Sequence, residues 1–126
     1  MPRYVILEHD WPQKHWDFML EAGNVLQTWR LSGPPQPGVS IPAEKSFDHR
    51  LMYLDYEGAI SGGRGSVIRW DGGNFEAMIE EDNRRVIRLV GKRLQGLVEL
   101  TNDPETGWRS IFSVTDQDLP RRDHSA

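Results

Sequence analysis

The feature that most constrains this chain is a series of short β-prone segments, evenly spaced between turn residues, with no helical periodicity sustained over about 11 residues. Arg3–Glu8 is β-branched and apolar on both faces, as a buried strand should be. Trp16–Glu21 and Asn24–Leu31 flank Ala22-Gly23, a hairpin turn by its composition. In the second half Gly65–Asp71 and Asn74–Glu80 flank Gly72-Gly73, and Arg84–Gly91, Leu94–Thr101 and Gly107–Val114 follow. A spacing of about 8–12 residues between such segments predicts an all-β domain, either a small barrel or a barrel-like sandwich. Ser32–Ser46, rich in Pro, Gly and Ser, is expected to form the longest loop and to flank a site. The domain should occupy residues 1–115, with a polar, flexible tail over 116–126.

Composition removes several classes of function. The chain has 126 residues, room for one domain. Its 37% hydrophobic content suffices for a core, and no apolar run approaches the roughly 18 residues of a membrane span. The absence of cysteine rules out disulfides, thiolate metal sites and thiol catalysis. Together with an N-terminus that reads as a strand and carries no signal segment, it leads us to expect a cytoplasmic protein with no membrane partner. A net charge of −4 argues against a basic protein that coats duplexes, while leaving room for a local patch that binds a nucleic-acid end.

The chemistry-bearing residues gather in the first half. Three of the four histidines lie there with acids next to them or two residues away, in Glu8-His9-Asp10, His15-Trp16-Asp17 and Asp48-His49. On a strand, His15 and Asp17 emerge on one face about 6–7 Å apart, close enough to share a metal or a phosphate. With His9 and His49 they make a possible pocket of imidazoles and a carboxylate, a donor set suited to Zn²⁺, Mn²⁺ or Fe²⁺. The same residues are compatible with ordinary surface histidines. His15, Asp17 and His49 also fit the two-histidine, one-carboxylate triad of non-haem iron oxygenases.

The order of motifs resembles one family closely. Glu8-His9-Asp10 followed by His15-Trp16-Asp17-Phe18-Met19-Leu20-Glu21 is similar to the opening motif of the 3′-phosphoesterase domain of bacterial DNA ligase D, a His-Asp pair and then His-x-Asp-Phe-Arg-Leu-Glu. The family's Gly-x-Leu-x-x-Trp appears in changed form as Gly23-Asn24-Val25-Leu26-Gln27-Thr28-Trp29. Asp48-His49-Arg50-Leu51-Met52-Tyr53, Tyr56-Glu57-Gly58-Ala59-Ile60 and Gly65-Ser66-Val67-Ile68-Arg69-Trp70-Asp71 match later motifs in the same order, so that the likeness runs from about Tyr4 to Val114. The resemblance implies a small closed β-barrel with long loops and little helix, holding one divalent metal, most often Mn²⁺. It implies His9, Asp17 and His49 as metal ligands, His15 in contact with the phosphate, and Tyr53 in support. It further implies metal-dependent trimming of a 3′-phosphate or terminal ribonucleotide from a nucleic-acid 3′ end in DNA repair, alongside a ligase or polymerase encoded elsewhere.

Two departures shape the expectation. Met19 stands where the family has arginine, on the strand face shared with His15 and Asp17, and methionine cannot grip a phosphate. The cation must then come from elsewhere, with Arg50, Arg64 and Arg30 as candidates. The glycine turn Ser61-Gly62-Gly63-Arg64-Gly65 is also shorter than the family's. Both departures keep a second reading in play, a catalytically weak or inactive module that binds a DNA end or a repair partner. Trp11, beside the histidines, is a candidate for stacking on a terminal base. Glu57 is a candidate for orienting an imidazole or capping a turn. Trp29, Trp70 and Trp108 are expected in the core.

Overall fold

The structure, a computed structural model, describes residues 1–114, so the expected tail over 116–126 lies outside the described residues. Ten strands follow in order: β1 (Arg3–His9), β2 (His15–Ala22), β3 (Val25–Leu31), β4 (Ser40–Lys45), β5 (His49–Arg50), β6 (Gly58–Ala59), β7 (Ser66–Glu81), β8 (Arg84–Gly91), β9 (Gln95–Asp103) and β10 (Gly107–Ser113). One 3₁₀ turn, Leu51–Leu54, lies between β5 and β6. The sheet runs β1-β2-β3-β4-β10-β9-β8-β7, and β7 pairs back onto β1, closing an eight-stranded antiparallel barrel. Strand β5 adds to β3 and β6 to β7 outside that ring. The expected all-β barrel with little helix is the observed fold. Among the described residues, no helix is long and apolar enough to cross a membrane.

Strand alternation divides the buried side chains into two groups. Tyr4, Ile6, Phe18, Leu20, Trp29 and Leu31 point inward and fill the barrel with residues from β4, β7, β8, β9 and β10. Trp16, Trp70 and Trp108 are partly buried against this group. The odd-numbered neighbours Val5, Leu7 and Met19 face outward, yet are equally buried, together with Leu26, Leu54 and Val67. What covers them is the segment after β5, whose Leu51, Tyr53, Tyr56 and Ile60 pack onto this outer face. The lack of polar alternation in β1 follows from this cover on both sides.

Two sequence expectations are corrected. Gly72-Gly73 is not a hairpin turn but lies within the 16-residue β7, whose first half pairs with β1 and whose second half pairs with β8. At this crossing Gly73 stands opposite both Tyr4 and Gly91, and a Cβ on it would fall 2.1 Å from the Val90 carbonyl oxygen. Glycine is there for close backbone approach at a barrel corner, not to reverse the chain. The turn falls instead at Asp82-Asn83. The stretch Ser32–Ser46 is only partly loop. Its second half is β4, which buries Ile41 and Ala43 in alternation and pairs with β3 and β10.

Candidate metal centre

The site grows from the register of β1, β2 and β3 on the outer face of the barrel. His9 pairs with His15 across β1 and β2, and Leu7 pairs with Asp17. Asp17 pairs with Arg30 across β2 and β3, and Met19 with Thr28. Directly opposed residues emerge on the same face, so this grid brings two imidazoles, a carboxylate and a guanidinium together. The donor atoms of His9, His15 and Asp17 all lie within 4.8 Å of one another. His15 Nε2 is 3.2 Å from Asp17 Oδ2, and His9 Nδ1 is 3.7 Å from the same oxygen.

Backbone carbonyls fix the imidazole tautomers. The second nitrogen of His15, Nδ1, lies 2.8 Å from the Gln13 carbonyl oxygen, and that of His9, Nε2, lies 2.8 Å from the Arg64 carbonyl oxygen. A carbonyl only accepts, so each of these nitrogens carries a proton and donates it. In the neutral rings His9 Nδ1 and His15 Nε2 are therefore bare. Three acceptors then converge with no donor among them, an arrangement that calls for a cation. Burial opposes charge on His15, but the hydrogen bond to Asp17 and its negative charge hold the pKa above its ordinary value. A divalent ion would suit this donor set, with the far nitrogens already held by carbonyls, the usual second layer around metal-bound histidine.

The Arg64 carbonyl is placed by a tight turn. Gly65 has φ +73°, and a Cβ there would lie 2.2 Å from Asp10 Oδ1 and 2.6 Å from Trp11 Cβ. Asp10 accepts from the Ser66 amide at 2.8 Å, a bond that holds the Asp10 carboxyl below its usual pKa and ties the end of β1 to the start of β7.

A cavity of about 320 Å³ opens beside the cluster, lined by His9, Trp11, Asp17, Met19, Arg30, Phe47, His49, Arg50, Tyr53 and Arg64, among others. His49 reaches it from β5. Its Nδ1 donates to the Phe47 carbonyl at 3.0 Å and lies 2.8 Å from Thr28 Oγ1, whose own proton goes to the Leu26 carbonyl. Nε2 of His49 is thus bare as well. Burial lowers the pKa of His49, Asp17 and the Phe47 carbonyl work against that, and Arg30 and His9 add to it. Tyr53, from the 3₁₀ turn, meets the His49 ring edge to face at 5.8 Å.

All the candidate residues except Glu57 meet at this place. The family likeness put His9, Asp17 and His49 on the metal and His15 on the phosphate. The donor atoms of His9, His15 and Asp17 lie within 4.8 Å of one another, and His49 lines the cavity beside them. Trp11 lines the cavity and is 42% exposed. Arg50 is exposed at the rim, and the Arg64 guanidinium is turned to Ser61, with Nε 2.7 Å from its carbonyl oxygen. Glu57 accepts from the Arg69 amide at 2.6 Å, clasping β7 instead of an imidazole. Sequence reasoning passed over Phe47, which is 72% exposed and stacks on His49 at 4.6 Å. Its position two residues before the third histidine was the available signal.

The molecule is a closed eight-stranded β-barrel in which two imidazoles and a carboxylate converge beside an outer-face cavity. The chain belongs to the DNA Ligase D 3'-phosphoesterase domain family, whose signature matches residues 7–102. It is 32% identical over 114 residues to the multifunctional non-homologous end joining DNA repair protein LigD of Mycobacterium tuberculosis (strain ATCC 25618 / H37Rv), covering 83% of this chain and 15% of that protein. It is 34% identical over 104 residues to the multifunctional non-homologous end joining protein LigD of Pseudomonas aeruginosa, covering 75% of this chain and 12% of that one. The chain thus spans well under a fifth of the length of these relatives.

Proposed function

We propose that this domain is a divalent-metal-dependent phosphoesterase that trims nucleic-acid 3′ ends, removing a 3′-phosphate or a terminal ribonucleotide so that a ligase can seal the hydroxyl. The observation that carries the reading is the convergence of three potential ligand atoms, from His9, His15 and Asp17, within 4.8 Å of one another. In this reading His9, His15 and Asp17 hold the ion, for which Mn²⁺ is the first choice. The chemistry such an ion supplies is polarisation of a phosphoryl oxygen and acidification of water. His49, neutral and with Nε2 bare, accepts a proton from the attacking water, and Tyr53 and the Phe47 carbonyl keep its ring in place. Membership of the family and likeness to end-joining proteins support DNA as the polymer.

The test is turnover of a duplex with a recessed 3′-phosphate or terminal ribonucleotide in the presence of Mn²⁺. Wild type is expected to release product, and His49→Ala to be slower by about 10²–10⁴, the usual worth of a positioned acid or base. Equal rates, or no turnover by wild type, contradict catalysis here. Met19, buried on the cavity floor, favours the second reading, binding of an end without turnover. Activity that arises only in Met19→Arg would assign that reading.

A further inference from the structure

A phosphate brought to this cavity needs cationic donors, and imidazoles holding a metal, which must be neutral, and Met19 would offer none. Three arginines line the cavity. Arg64 spends its guanidinium on the carbonyl and hydroxyl of Ser61, and Arg50 is exposed to solvent at the rim. Arg30 differs from both. The register places it opposite Asp17 on the cavity face of β3, and opposite Glu44 on its other side. Its Nε is buried without a hydrogen-bond partner. Among the described residues no ion pair engages its guanidinium. Arg30 also lines the adjoining cleft with His15, so it stands at the border of the two hollows. Its charge is felt at both sides of the centre, disfavouring protonation of His15 and of His49.

We propose that Arg30 grips the phosphate of the substrate, supplying from β3 the cation that Met19 does not supply from β2. The proposal rests on the phosphoesterase reading of the same site. A guanidinium fork beside a metal presents two parallel N–H donors to the non-bridging oxygens, which a point-like ammonium does not reproduce. A buried donor without a protein partner is the state expected of a group whose partner is the ligand. The competing account makes Arg30 only a counter-charge to Asp17 and Glu44. In that case its removal disturbs the metal site and the fold, and not phosphate binding in particular.

Calorimetry separates these. Mn²⁺ is titrated into the protein first, and inorganic phosphate into the Mn²⁺-loaded protein second, for wild type, Arg30→Gln and Arg30→Lys at one ionic strength. The expected result is Mn²⁺ affinity in Arg30→Gln within about threefold of wild type, and phosphate affinity lower by about tenfold or more, the scale of a lost charge-assisted pair. Arg30→Lys should fall between. Adding Met19→Arg to Arg30→Gln should restore part of the phosphate affinity. Phosphate bound by Arg30→Gln as tightly as by wild type overturns the role of Arg30 and leaves the metal site standing. Loss of Mn²⁺ binding and of melting temperature in Arg30→Gln assigns it as a counter-charge and equally overturns the proposal. Wild type that binds Mn²⁺ but no phosphate removes the phosphate grip, and wild type that binds neither removes the phosphoesterase reading itself.

Discussion

Asp17→Asn is expected to lower turnover of a 3′-phosphorylated duplex by about a thousandfold or more, and to abolish the rise in melting temperature that Mn²⁺ gives the wild type. Asp17 is buried, and it is the only anion among the three converging groups. An asparagine in its place keeps the shape but turns a neutral oxygen or an N–H₂ toward the bare nitrogens of His9 and His15, so the site loses the charge that offsets a divalent ion. The size of the effect follows from what such groups contribute, since removing one electrostatic stabiliser costs about 10²–10³ in rate and here the metal would go with it. Bound metal stabilises the fold by mass action. At a hundredfold excess over Kd the gain is about 2.7 kcal/mol, roughly 10 °C in melting temperature for a domain of this size. The metal-free variant should melt within a few degrees of wild type, because the asparagine N–H₂ can donate to the neutral His15 Nε2 and no charge is left buried alone. Turnover is read by product release and the metal effect by thermal melting with and without Mn²⁺. A variant that keeps both would show that Asp17 is not at the centre of the chemistry.

Asp71→Ala is expected to cost about 3–5 kcal/mol of folding stability. Asp71 is 3% exposed and accepts four hydrogen bonds. Tyr4 Oη donates at 2.6 Å, and the amides of Lys92, Arg93 and Leu94 donate at 3.0, 2.9 and 3.0 Å. The Tyr4 hydroxyl has its pKa pushed up by burial and by Asp71, so it stays a donor at any ordinary pH. Alanine would strand a buried hydroxyl and three amides at the β8–β9 turn, next to the Gly91 backbone that packs on both side chains. Tyr4→Phe, which removes one donor from a carboxylate that keeps three, should cost only about 1–1.5 kcal/mol. Urea unfolding checks both. A loss below about 1 kcal/mol for Asp71→Ala would mean that the turn is held by other contacts.

The strands of β1, β2, β3, β8, β9 and β10 were legible because their apolar residues alternate or run together between turn residues. Strand β4 was hidden by Pro42 and by the proline-rich stretch before it, since only Ile41 and Ala43 alternate there. The Gly72-Gly73 pair has the composition of a turn, and only the approach of Val90 and Gly91 to Gly73, and of the Arg69 guanidinium to Gly72, shows what glycine does in this strand. At the site, spacing and family likeness together selected His9, Asp17, His49 and Tyr53, which line one cavity, and His15, which lies against His9 and Asp17 beside it. Their division of labour was not legible, because it depends on the carbonyls of Gln13, Arg64 and Phe47. Any residue type supplies a carbonyl, so no side-chain pattern marks it. Arg30 was one of three candidate cations until the pairing of β2 with β3 set it opposite Asp17.

Calorimetric titration of metal-free protein with Mn²⁺ tests the proposal that His9, His15 and Asp17 form one divalent-metal site. Wild type should bind one ion. His9→Ala, His15→Ala and Asp17→Ala should each abolish binding, and His49→Ala should retain it to within about tenfold, the lower end of what a partner outside the ligand set contributes. Affinity should fall as the solution is acidified, because the ion and the proton compete for His9 and His15. Failure of the wild type to bind, or binding that survives loss of His9, His15 or Asp17, would contradict the account.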